Sequence, residues 1–201
     1  KERGIQGVRM VDNQPRFQHA GRSTQSLLDA KTVLKAIGLK TGDVFLDAGS
    51  GSGYLSLAAS EIVGADGKVY AIDIDEPSID TLKKAISDRK IKNIEAITAD
   101  VTAKTPLAGE SIDICLMANV LHGFVENQEV AGVLKEITRV LKTGATLAVV
   151  DFKKDASTPR PPVAIRLTPE QVAAIINPYH YQQKQVVEVG PYHYAAVFSK
   201  E

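Results

Sequence analysis

The chain is poor in cysteine, in surplus charge and in long apolar runs. It has one cysteine, Cys115, so no internal disulfide can form, and a cytoplasmic location is the expectation. One thiol also excludes chemistry that needs several thiolates around one centre. The 24 basic and 24 acidic residues cancel. A domain that grips nucleic acid usually keeps a basic surplus, so a nucleic-acid substrate is not expected. No window approaches the roughly 18 apolar residues needed to span a bilayer, so no membrane partner is expected. A signal-peptide pattern is missing too, in a sequence that does not begin with Met. The tetrapeptide Pro-Tyr-His-Tyr occurs at 178–181 and 191–194. Neither His180 nor His193 has a second ligand at metal spacing, so no metal is expected.

What remains is an ordinary globular composition, 44% apolar and 24% charged over 201 residues, enough for one domain with a real core. Residues 1–27 are polar and irregular, with Arg3, Arg9, Arg16, His19 and Arg22, and are assigned as an N-terminal lid or substrate segment. Residues 28–201 form the main domain. An amphipathic helix is predicted from near Leu28 to Ile37, opened by Asp29 as N-cap and stopped by Gly38. Strand and helix then alternate with short links, the pattern of a parallel α/β sheet. Val130, Val133, Leu134, Ile137, Val140 and Leu141 recur at helical spacing, Lys142-Thr143-Gly144 ends that helix, and Ala145 to Val150 is the next strand. Lys184 to Val189 and Tyr192 to Ser199, joined by Gly190-Pro191, predict a closing antiparallel hairpin. The total is seven strands.

The chemistry concentrates at Val44-Phe45-Leu46-Asp47-Ala48-Gly49-Ser50-Gly51-Ser52-Gly53, a strand running into three glycines, followed at once by a helix-compatible stretch. Strand, glycine turn and helix in that order build a nucleotide crevice at the carboxyl end of a parallel strand. A dinucleotide fingerprint wants its third glycine one residue later, where Tyr54 stands, and a phosphate loop would end in Gly-Lys-Ser/Thr. Asp47, just ahead of the glycines, repels a pyrophosphate and suits a cation such as an amino group or a sulfonium. Lys68 to Asp73 is the next strand, and an acid at its tip is placed to accept from ribose hydroxyls. Asp75 and Glu76 crowd the same turn, so position favours Asp73; Ile74 can cover one face of an adenine. Asp100 follows the third strand.

These three acids and the Asp-x-Gly-x-Gly-x-Gly arrangement resemble the first three motifs of class I S-adenosylmethionine-dependent methyltransferases. The resemblance covers the chain from about Leu28 onward. It implies a single Rossmann-like three-layer αβα sandwich, whose seven-stranded, mostly parallel sheet has its last strand inserted antiparallel beside the fifth. It implies S-adenosylmethionine as cofactor, with Asp47, Gly49, Gly51 and Gly53 at its methionine end. Asp73 and Ile74 would then serve ribose and adenine, Asp100 with Val101 the adenine amine, and Asn119 a further cofactor contact.

The loop after the fourth strand, Ala118-Asn119-Val120-Leu121-His122-Gly123, faces the transferable methyl in that family. It lacks the Asn/Asp-Pro-Pro-Tyr/Phe element of adenine-N6 and glutamine-amide enzymes, and Asn177-Pro178-Tyr179 lies too far on to supply it. It also lacks the nucleophilic cysteine of cytosine-C5 enzymes. Val-Leu-His resembles the small-molecule branch related to quinone-biosynthesis and arsenite methyltransferases, and one cysteine argues against arsenite. His122 is the candidate base, or else a residue that orients the loop or Asn119. Asp151, at the tip of the fifth strand, is the candidate substrate-contacting acid. The expected reaction is methyl transfer to a small or medium acceptor by in-line displacement. A protein or RNA modifier and a non-catalytic cofactor-binding module stand as alternatives.

Overall fold

A computed structural model of the chain describes residues 27–155, 157–158 and 161–201, together with a two-by-two antiparallel ladder of Met10–Val11 on Gln14–Pro15. The basic residues assigned to the N-terminal segment lie outside the described residues. Helix α1 spans Ala30–Ala36. Its N-cap is Asp29, whose carboxylate accepts from the Thr32 amide at 2.8 Å, as the sequence predicts.

The sheet strands are β1 (Val44–Ala48), β2 (Lys68–Asp73), β3 (Ile94–Thr98), β4 (Ile112–Ala118), β5 (Leu141–Phe152), β6 (Tyr181–Glu188) and β7 (His193–Lys200). Their order is β3-β2-β1-β4-β5-β7-β6. Strands β1 to β5 pair in parallel, and β7 is antiparallel to both β5 and β6. The order reverses at β1, since β2 lies on one side of it and β4 on the other. A crevice opens at such a switch point, at the carboxyl ends of the strands.

Helices α2 (Tyr54–Val63) and α3 (Glu76–Asp88) join α1 on one face, where Leu34, Leu55, Ala59, Val63 and Leu82 pack on Phe45, Val69 and Leu116. Helices α4 (Leu121–Glu126), α5 (Val130–Val140) and α6 (Pro169–Ile176) cover the other. There Leu121, Val133, Ile137 and Val172 meet Leu46, Cys115, Met117 and Val149. Alternation along β4 explains the division, because Leu116 and Ala118 face one layer while Cys115 and Met117 face the other. The result is the three-layer αβα sandwich.

One boundary differs from expectation. The helix ends before Lys142-Thr143-Gly144 as expected, but β5 starts at Leu141 and not Ala145: Leu141 pairs with Ile112 before the register shifts ahead of Ile114. Gly144, at φ +76°, absorbs the irregularity, a conformation costly for a residue with a Cβ. Strand β5 also runs two residues past Val150, because β7 supplies partners: Asp151 opposite Tyr194 and Phe152 opposite His193.

Candidate functional site

The turn after β1 is shaped by its own backbone. Gly49, Gly51 and Gly53 have φ of +84°, +52° and +83°, all in the left-handed region. At Gly49 an added Cβ would meet Val120 Cγ1 at 2.7 Å, and at Gly53 it would meet Leu82 Cδ1 at 2.4 Å. At Gly51 it would meet nothing within 4 Å. Two of the glycines are therefore demanded by packing and φ together, and the middle one borders open space. The amides of Gly49 and Ser50 donate to Ile72 O on β2, which fixes the turn against the neighbouring strand. Tyr54, where a dinucleotide motif carries glycine, donates its hydroxyl to Leu28 O at 2.9 Å and so ties α2 to the start of α1.

The three strand-tip acids are held differently. Asp47 is buried and accepts from Ser56 Oγ at 2.6 Å. Burial pushes its pKa up to about 6; the Ser56 hydrogen bond opposes this and the charge of Asp73 adds to it. Asp73 accepts from the Gly51 amide at 2.7 Å through one oxygen and from the Asp75 amide at 2.9 Å through the other. Asp75 is the N-cap of α3, accepting from the Ser78 amide, and Glu76 is in that helix's first turn, so the crowd of acids resolves into three separate tasks. Ile74 is 49% exposed, unusual for a side chain of its size. Asp100 closes a tight turn by accepting from the amide and hydroxyl of Thr102 through one oxygen. Val101 is buried in the core beside it.

On the other side of the switch point, Asn119 adopts φ +58° and donates its amide to Val150 O. It is 8% exposed, and among the described residues neither Oδ1 nor Nδ2 has a hydrogen-bond partner. Since Val120 abuts Gly49, the loop after β4 and the glycine turn are in direct contact. His122, in the first turn of α4, places Nδ1 at 2.8 and 3.0 Å from the two oxygens of Asp151. Both residues are buried. Asp151 also accepts from the Phe152 amide at 2.8 Å. The two residues singled out separately as base and acid therefore form one hydrogen-bonded pair.

Phe152, Arg166 and Ser56 were not singled out from the sequence, and His193 was weighed only as a metal ligand. The Phe152 ring lies 4.1 Å from the His193 ring, centroid to centroid, and the Arg166 guanidinium carbon lies 5.7 Å from the Phe152 ring centroid. Burial lowers the His193 pKa to about 4; Asp151 pulls against this, and Arg166 and Lys153 reinforce it. His180 and His193 sit at opposite ends of the hairpin, since Glu201 pairs with His180 while Glu188 pairs with Tyr194. A strand of eight residues separates them, about 26 Å of extended chain. Among the described residues no group of three His, Cys, Asp or Glu is placed to hold a metal ion. Cys115 is buried inside β4, and burial pushes its thiol well up from the usual value. No described helix is long and apolar enough to cross a membrane.

A family model described as a methyltransferase domain matches residues 39–189. The crystal structure of an S-adenosylmethionine-dependent methyltransferase from Aquifex aeolicus is 32% identical, with a TM-score of 0.80 over 89% of this chain and 93% of that one. A ubiquinone/menaquinone biosynthesis C-methyltransferase from Azotobacter vinelandii is 29% identical over 126 residues, 62% of this chain and 48% of that protein. A demethylmenaquinone methyltransferase from Lactococcus lactis is 33% identical over 122 residues, 61% of this chain and 46% of that protein. The chain thus spans about half the length of these last two relatives.

Proposed function

We propose a reaction for a chain that belongs to the S-adenosylmethionine-dependent methyltransferases: it moves the cofactor's methyl group onto a small or medium-sized molecule, with His122 and Asp151 handling the proton. The observation that carries this is the buried pair of His122 Nδ1 and the Asp151 carboxylate at 2.8 Å, one loop away from the glycine turn. The names of the relatives that act on quinone precursors support a small organic acceptor. Arsenite, in the name of another relative, fits poorly with a single buried thiol.

The residues present suit the cofactor. Open space at Gly51 leaves bare backbone for a ligand to approach, and Asp73, at the tip of β2, has the position to take ribose hydroxyls. The exposed Ile74 offers an apolar cover for a base, and the unpartnered Asn119 amide offers a buried donor and acceptor. Asp47 is a carboxylate that burial leaves short of counter-charge, which a cationic amino group or sulfonium relieves. S-adenosylmethionine, when bound, supplies a methyl carbon already activated by its sulfonium. What the protein adds is alignment, an effect that reaches roughly 7–11 kcal/mol.

Asp151 accepts the Nδ1 proton of His122 and so fixes the tautomer, which makes Nε2 the basic nitrogen. A proton leaving the acceptor's oxygen, nitrogen or carbon is taken there, and the resulting imidazolium is balanced by the carboxylate. Calorimetry tests the cofactor half: S-adenosylhomocysteine binds in the micromolar range or tighter and NAD does not bind, and the reverse result rejects this reading. Incubation with methyl-labelled S-adenosylmethionine and the small-molecule fraction of a cell extract tests the rest, since label confined to protein or RNA would overturn the choice of acceptor.

A further inference from the structure

Asp151 marks the end of β5, yet the most anomalous group nearby is on the strand beside it. His193 is fully buried, and among the described residues neither Nδ1 nor Nε2 has a hydrogen-bond partner. Asp151, Tyr194 and Arg166 around it do have partners. Asp151 accepts from His122 and from the Phe152 amide, and Tyr194 donates to Leu167 O at 2.8 Å. Arg166 donates to the carbonyls of Lys153, Thr158 and Pro161. The isolation of His193 is thus not loose packing but a specific omission. A buried imidazole that gives up two water contacts without replacement destabilises the fold, and such groups persist where a ligand supplies the missing partner.

We infer that His193 is an acceptor-binding residue: its ring offers one N–H donor and one lone pair to a hydroxyl or carbonyl oxygen of the molecule that is methylated. This rests on the methyl-transfer reading above. Three observations locate the role. The β5–β7 register sets His193 directly opposite Phe152, next to the residue that orients His122. The Phe152 ring lies at 4.1 Å and 45° to the imidazole, so an apolar wall stands beside the polar contact. The edges of β4, β5 and β7 then hold Asn119, the His122–Asp151 pair and His193 in spatial sequence, two of the three with no partner of their own.

Charge narrows the ligand. Burial keeps the imidazole neutral, and the nearby cations Arg166 and Lys153 act in the same direction. The same cations disfavour an ammonium and accept a neutral or partly negative oxygen, so the acceptor presents a hydroxyl or carbonyl here rather than an amine. The ring is buried in this state, with Phe152 against it and the Arg166 guanidinium 5.7 Å from the centre of the Phe152 ring, so an acceptor displaces neighbouring side chains to reach it.

The test compares His193→Phe and His193→Gln with the parent chain, using methyl-labelled S-adenosylmethionine and the small-molecule fraction of a cell extract. For His193→Phe, S-adenosylhomocysteine affinity stays within about twofold and the melting temperature is unchanged or higher, since an unsatisfied polar group has been removed. The extract concentration giving half-maximal labelling rises at least about tenfold, as expected for one lost hydrogen bond in a dry site. His193→Gln, which restores a donor and an acceptor, recovers part of that loss. Labelling by His193→Phe at the parent's half-saturation overturns the inference, and so does a fall in melting temperature with loss of homocysteine-derivative binding in both variants, the mark of a structural histidine. A parent chain that binds no S-adenosylhomocysteine defeats the methyl-transfer reading itself, a result distinct from a parent that labels its acceptor and a variant that labels it equally well.

Discussion

The two halves of the crevice treat their polar groups in opposite ways. On the β1–β3 side, Asp47 is bonded to Ser56, Asp73 to the Gly51 and Asp75 amides, and Asp100 to Thr102, so these acids are held in place before any ligand arrives. On the β4–β7 side, Asn119 and His193 are buried, and among the described residues their side-chain nitrogens and oxygen have no partner. The first half is preorganised by its own hydrogen bonds; in the second, under the proposals above, a bound ligand supplies the partners. Under the proposals above, the cofactor meets the self-consistent cradle on one side and the Asn119 amide on the other, and His193 is left for the acceptor.

The sharpest way to break that comparison is Asp151→Asn. Asn at 151 no longer takes the Nδ1 proton as a carboxylate does, so methyl transfer drops by roughly 10²–10⁴-fold while S-adenosylhomocysteine affinity holds. Equal losses of rate and cofactor affinity would show that the halves are not separate. Next comes the packing side of the cradle. Gly53→Ala places a Cβ 2.4 Å from Leu82, itself fully buried, at a left-handed φ, and destabilises the fold by about 3 kcal/mol in urea unfolding. Gly51→Ala meets no atom and costs about 1 kcal/mol of strain, but it weakens S-adenosylhomocysteine binding more than it weakens the fold.

Asp47 gives a pH signature. Its carboxyl has a higher pKa in the fold, about 6, than its ordinary 3.8, so the folded chain holds that proton more tightly than the unfolded chain. The stability it contributes is fully present below pH 3.8 and is lost as pH rises through about 6, a change of about 3 kcal/mol. Asp47→Asn flattens that part of the profile, which paired urea titrations of the two proteins at pH 4.5 and 7 measure. Asp73→Ala weakens S-adenosylhomocysteine binding by more than about 1 kcal/mol through lost ribose contacts and a looser Gly51 turn. Unchanged affinity would assign the ribose to another residue.

The first half of the site was legible because its signal is local. The strand, the glycines and the helix are contiguous, and each acid follows its own strand, so period and position alone align Asp47, Asp73 and Asp100 along one edge. The second half depends on contacts between distant segments. His122 and Asp151 are 29 positions apart, and the sequence offered each as a candidate without showing that they touch. His193 looked like half of a metal pair because it repeats the tetrapeptide around His180, and the hairpin then sends the two to opposite ends. A signal was present, since a seventh strand antiparallel to the fifth must start where the fifth ends. Arg166 had none: its burial comes from carbonyls of a loop with no periodicity.

What the sequence alone determined was the alternation of strand and helix and the glycine turn with an acid at each neighbouring strand tip, because hydrophobic period and glycine placement act over a few residues and survive without knowledge of neighbours. What only the tertiary structure decided was which groups on the far side are paired and which are left wanting. Register sets that: β5 and β7 must be laid against each other before Phe152 faces His193, and no stretch of sequence contains both strands.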